Sequence, residues 1–148
     1  MVDLLNKRFE IRVRAVIEKD GRFLVCKHRD KSKQYYFLPG GHVEFGETAK
    51  EAMIRELEEE LTISVKEVSF IGGMEDIFTK EDGSKHHDIN LFFNVSFDSV
   101  EAESKEDEID FVFLNQKEFL NQKVYPSAMP KTIIQWQEDK RAFWISND

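Results

Sequence analysis

Cysteine is nearly absent: Cys26 alone among 148 residues rules out an internal disulfide, so a reducing compartment is the expected setting. No apolar run approaches the roughly 18 residues that a spanning helix needs, and no membrane role is expected. Nor does the stretch from Met1 to Glu10 offer the apolar core of a secretory leader, because Asp3, Lys7, Arg8 and Glu10 interrupt it. A soluble, cytoplasmic protein is therefore expected. Basic charge is short as well. With 21 Lys+Arg against 29 Asp+Glu the net charge is −8, which disfavours sequence-independent nucleic-acid binding, a task that needs a basic face. No linker, repeat or low-complexity tract divides the chain, so one domain over residues 1–148 is expected. If such a protein handles a polyanion, something other than net charge must neutralise that ligand.

What is present argues for a packed globule. Hydrophobic residues make up 41% of the chain and include 13 Phe, enough for a core without disulfides despite 34% charged residues. Phe9, Ile11, Val13, Ala15 and Ile17 alternate with Glu10, Arg12 and Arg14 at the period of a half-buried strand. Asp20-Gly21 predicts a hairpin turn with Phe23 to Cys26 as the return strand, and Asp82-Gly83 predicts a second, with Ile89 to Phe97 alternating after it. Arg29 to Gln34 reads as a polar loop, and Glu101 to Asp110 as an acidic, solvated one. Asn115, three residues before Glu118, predicts a helix cap, and Ser127 predicts another for a final helix through Trp136. Many strands with two or three helices imply a mixed sheet covered by helices, an α/β fold.

The strongest helical segment runs from Thr48 to Leu61. At about 100° per residue, Met53, Ile54, Leu57 and Leu61 form the face expected to pack on the sheet. Glu56, Glu59 and Glu60 share another face, and Ala49 and Ala52 are expected to leave space on that same side. Three like charges repel, and a hard divalent cation with oxygen ligands would reverse the repulsion. Acidic helix faces are ordinarily just solvated, and Gly40-Gly41 alone would be an ordinary turn after Pro39. The conjunction of Gly41, Glu47, Arg55, Glu56, Glu59 and Glu60 is different, since those six positions arise together by chance on the order of once in a million starts.

With those residues in place the sequence resembles the Nudix hydrolase family. Gly41 and Glu47 are followed at the family's spacing by Arg55, Glu56, Leu57, Glu59, Glu60 and Ile63, and Tyr36 to Gly40 matches the lead-in. One position departs: Thr62 stands where the signature has a helix-ending glycine. The resemblance implies an alpha/beta/alpha sandwich and hydrolysis of a nucleoside diphosphate linked to another group, X. It implies that Glu56, Glu59 and Glu60 hold Mg²⁺, or Mn²⁺ in its place, with the Gly40 carbonyl as a further ligand. It also implies that Glu56 is a candidate base, and that Arg55 and Glu47 orient the catalytic helix.

Outside the motif, Glu106 or Glu108 is the candidate for an added acidic ligand, against a plain solvated loop. Lys27 and Arg29 are candidates to meet phosphates, and Tyr36, Phe45, Phe78 and Phe92 to stack on a base, although most Phe are needed for the core. His86-His87-Asp88 is expected on a hairpin surface, since neighbours in a strand point to opposite faces, and His28 and His42 are expected to be non-catalytic. The compact length favours a nucleoside triphosphate as substrate. ADP-ribose, a dinucleoside polyphosphate, a nucleotide sugar, and a binding module without turnover stay open, as does a homodimer.

Overall fold

The computed structural model describes residues 6–104 and 108–146. Two sheets carry the fold. The first has five strands in the order β5-β1-β7-β6-β9, formed by β1 (Lys7–Val16), β5 (Gly40–His42), β6 (Leu61–Thr79), β7 (Lys85–Ser104) and β9 (Phe143–Ser146). It is mixed: β1 runs parallel to β7 and β6 parallel to β9, while β1–β5 and β6–β7 are antiparallel. The second sheet is antiparallel around β3 (Arg22–His28), which pairs with β2 (Glu18–Lys19), β4 (Tyr36–Phe37) and β8 (Ile109–Asn115).

Helix α1 (Ala49–Glu60) covers one layer, and the short α2 (Gln116–Asn121) and α3 (Met129–Asp139) belong to the other. The first core joins Val13, Ala15, Phe93 and Val95 of the sheet to Ala52, Met53 and Leu57 of α1. The second joins Val16, Phe23, Ile71 and Phe92 to Phe119 of α2 and Met129 and Ile133 of α3. This is the expected α/β sandwich with helices on both sides of a mixed sheet. The pleat divides the work within each central strand. On β7, Phe93 and Val95 face the α1 core, whereas His86, Asp88, Asn90 and Phe92 face the other way.

Several local expectations change for physical reasons. The Asp20-Gly21 turn is present, with φ of 52° and 76°, but it joins β2 to β3 rather than β1 to β3. Leaving β1 after Val16, the chain changes sheets, so β1 finds its parallel partner 78 residues downstream, with Lys7 opposite Lys85. The Asp82-Gly83 hairpin forms as expected, closed by Lys80 N–H to Ser84 O at 2.9 Å. Residues Glu101 to Ser104 extend β7 instead of forming a loop. Asn115 caps α2 through a reciprocal bond with Glu118, as the spacing predicts. Ser127 does not cap α3: Ala128 holds that position without a side-chain bond, and Pro130 sets the first turn.

Candidate active site

α1 begins at a capping box. Thr48 accepts from the Glu51 N–H at 3.1 Å, and Glu51 accepts in return from the Thr48 N–H. Met53, Leu57 and Leu61 are buried as the facial reading requires. Ala52 is not on the open side with the carboxylates: it is wholly buried against the sheet, so its small size serves close helix–sheet packing. The helix stops at Glu60 with Leu61 in extended backbone (φ −131°, ψ 154°), and residue 62 pairs with Glu101 at the start of β6. No left-handed residue ends α1, which explains how threonine stands where the motif has glycine.

Arg55 organises the carboxylates. Its Nε donates to Glu47 Oε2 at 2.7 Å and its Nη2 to Glu47 Oε1 at 2.9 Å. Nη1 donates to Glu56 Oε1 at 3.1 Å and to Glu59 Oε2 at 3.3 Å, and Nη2 also reaches the His42 carbonyl at 2.9 Å. Hydrogen bonds from Arg55 and from the Glu44 N–H hold the Glu47 carboxyl down at about 2. The bond to Glu47, more than burial opposes it, raises Arg55 above the usual arginine value. Gly41 is required where it stands: a Cβ there would collide with the Glu56 carboxylate, and one on Gly40 (φ 154°) would collide with the Val13 carbonyl across the β1–β5 pairing.

Glu60 and Gly40 open onto a cleft of about 890 Å³ floored by β1, β6 and β7. Arg14 lies in it, donating from Nη1 to the Leu38 carbonyl at 3.1 Å and from Nε to Asn90 Oδ1 at 3.4 Å. Arg12 sits beside it, its Nε 3.2 Å from Asp88 Oδ2. The aromatic members of the lining include Tyr35, Phe37, Phe78 and Tyr125. The alternation of Arg12 and Arg14 with Val13 and Ala15 is visible in the sequence, but it reads equally well as a solvated strand face. Only the parallel pairing of β1 with β7 makes that polar face the floor of a cleft.

The other anticipated residues are spread more widely. Lys27, on β3, extends its ammonium over the Tyr36 ring at 5.9 Å, and Arg29, in the bend just after β3, bonds through Nε to Asp110 Oδ1 at 2.7 Å. Tyr36 is half-buried against the second core, and it is Tyr35 that lines the cleft. Glu108 is exposed in the turn before β8, its carbonyl accepting the Arg29 N–H at 2.9 Å; Glu106 lies outside the described residues. Phe92 is fully buried, Phe45 fully exposed, and Phe78 stacks on His86 with ring centroids 5.0 Å apart. His86 and Asp88 are not hairpin surface: each is 5% exposed. His42 bonds to Glu10 at 3.0 Å, and burial lowers the His28 pKa at the cleft wall.

A divalent ion suits this donor set chemically, since Glu56, Glu59, Glu60 and the Gly40 carbonyl are all hard oxygen donors. As they stand, no three His, Cys, Asp or Glu side chains among the described residues converge to enclose one, and Arg55 draws both Glu56 and Glu59 to itself.

The family model of the NUDIX domain matches residues 8–137. The chain belongs to the NUDIX family, whose hydrolases generally use divalent metal ions and act on nucleotides. The ADP-ribose pyrophosphatase of Methanocaldococcus jannaschii is 33% identical over 109 residues, 71% of this chain and 62% of that protein. Phosphatase NudJ of Escherichia coli K12 is 39% identical over 61 residues, 41% of this chain and 40% of its own length. The matched stretch thus spans less than two thirds of either relative. Among solved structures, the MutT protein of Bacillus halodurans aligns with a TM-score of 0.72 at 17% identity, covering 91% of this chain and 86% of that one, a likeness of fold. No helix among the described residues is long and apolar enough to cross a membrane.

Proposed function

We propose that this protein is a Mg²⁺-dependent hydrolase of nucleotides in which a diphosphate links the nucleoside to a group X, with Mn²⁺ able to replace Mg²⁺. The observation that carries the reading is the opening of Glu60 and Gly40 onto the same cleft as Arg14. Glu56, Glu59 and Glu60 would hold the ion. When bound, it screens the diphosphate and activates the attacking water. Arg14 supplies fixed positive charge beside Glu60, which lets an acidic chain accept a polyanion locally. Arg55, anchored by Glu47, orients Glu56 and Glu59 and shares their charge until the ion arrives. Glu56, held above Gly41, is the candidate base. A cytoplasmic location fits the lone buried thiol of Cys26.

Nucleoside triphosphate remains the expected substrate class, cleaved to monophosphate and pyrophosphate. The name of the archaeal relative supports a second reading, ADP-ribose cleaved to AMP and ribose 5-phosphate. A metal-supplemented screen over nucleoside triphosphates, ADP-ribose, nucleotide sugars and dinucleoside polyphosphates, with products resolved by chromatography, separates the two. Release of terminal orthophosphate alone, or no cleavage of any diphosphate compound, would count against the proposal.

A further inference from the structure

Across the β6–β7 ladder Asp76 stands directly opposite Asp88, and both line the cleft. Cβ atoms of such a pair are about 4.5–5.5 Å apart, a separation at which like charges directly opposite destabilise a sheet. Asp88 is 5% exposed; its Oδ2 meets Arg12, while its Oδ1 is buried with no hydrogen-bond partner. A buried carboxylate oxygen without a donor is costly. Oδ1 is closed off from solvent, so a donor entering the cleft reaches the half-buried Asp76 first and meets Asp88 Oδ1 only if that side chain turns. Burial first, and Asp88 second, raise the Asp76 carboxyl above its ordinary range. Phe78, two residues along β6 from Asp76, and the T-shaped couple Tyr35–Tyr125 line the same cleft.

On the nucleotide reading above, the diphosphate lies at the Glu60–Gly40 end beside Arg14, and the Asp76–Asp88 part of the floor remains for the rest of the molecule. We propose that Asp76 and Asp88 are specificity-determining residues that select a base bearing an exocyclic amino group: adenine, guanine or cytosine in preference to uracil. The amino group brings N–H donors to the two carboxyl groups, whereas the uracil N–H is flanked by two carbonyl acceptors that carboxylate oxygens repel. The aromatic side chains offer the base a stacking surface that does not depend on its identity.

The test is equilibrium binding of AMP, GMP, CMP and UMP to the full chain with metal chelated, followed by calorimetry, so that no turnover is required. The three amino-bearing nucleotides should bind at least tenfold more tightly than UMP. Asp76→Asn, which has nearly the same shape and supplies a donor to a uracil carbonyl, should narrow that ratio to threefold or less. Its melting temperature should equal or exceed that of the unmodified protein, because the repulsion with Asp88 is relieved. UMP binding as tightly as the others to the unmodified protein overturns the proposal, as does an undiminished ratio in Asp76→Asn. Failure of all four to bind at millimolar concentration overturns it too. Base-selective binding without hydrolysis of any diphosphate would instead uphold the acidic floor and overturn the hydrolase reading.

Discussion

The guanidinium of Arg55 grips the Glu47 carboxylate at two points, 2.7 Å and 2.9 Å, and thereby fixes the loop before α1 to the middle of that helix. A planar fork is needed for this, so Arg55→Lys keeps the charge but loses the bidentate geometry. Glu47 should titrate at about 2 in the folded protein. Because the folded value is depressed, the stabilisation is complete above the ordinary glutamate range and is lost as pH falls from about 4.5 toward about 2. Carboxyl NMR titration checks this: Arg55→Lys should return the Glu47 midpoint toward its ordinary value and lower turnover about tenfold or more. A wild-type midpoint already near 4 would refute the coupling.

Gly41→Ala is expected to fold and lose activity. The added Cβ meets the Glu56 carboxylate, the far end of a flexible side chain, which can swing away at little conformational cost. The displaced carboxylate should reduce turnover on the order of 10²-fold, the scale of losing one group that stabilises transition-state charge. Gly40→Ala meets the Val13 backbone instead and should lower the melting temperature sharply. Paired thermal melts and rate measurements distinguish the two, and equal stability losses would contradict the assignment.

Glu59→Gln should reduce metal-dependent hydrolysis about 10²-fold or more, whereas Glu58→Gln on the outward face should be nearly silent. Relief of carboxylate repulsion suggests slight stabilisation for Glu59→Gln, but its i,i+4 pairing with Arg55 at 3.3 Å works the other way. Glu59 is 59% exposed, so the net change in stability should stay within about 0.5 kcal/mol. Matching rate losses in both variants would remove Glu59 from the ion's ligands.

Thr62→Gly restores the family's residue at a position that is extended and paired with Glu101, not left-handed. Glycine there gains nothing from its conformational freedom and weakens the strand. The rate should change by no more than a few-fold and the melting temperature should fall slightly. A hundredfold rise in rate would show that threonine impairs the enzyme.

The motif from Gly41 to Glu60 was legible because its spacing is local: one helix, one cap and one preceding loop define it. The buried trio Met53, Leu57 and Leu61 followed from helical period alone. Ala52 departs from the helical reading because a small residue beside a carboxylate face is also what lets a helix approach a sheet. The cleft floor was illegible for a different reason. Arg12, Arg14, Asp76 and Asp88 look like the wet side of strands until long-range pairing turns that side inward. The hairpin at Asp20-Gly21 shows the same limit: the turn was readable, whereas the partner of β1 was not.

The alternation along β7 sets Asp88 and Asn90 on one side and Phe93 and Val95 on the other. Substitutions at the cleft-facing positions can accumulate without disturbing the packing beneath α1, so the lining of the cleft is free to drift while the carboxylate cluster around Arg55 persists. A one-residue deletion in the Asp82-Gly83 turn that shifted the register would have the opposite effect, exchanging the two sides at once. Divergence among such proteins should therefore proceed by side-chain replacement within this strand, with length changes confined to places where the pleat is not shared.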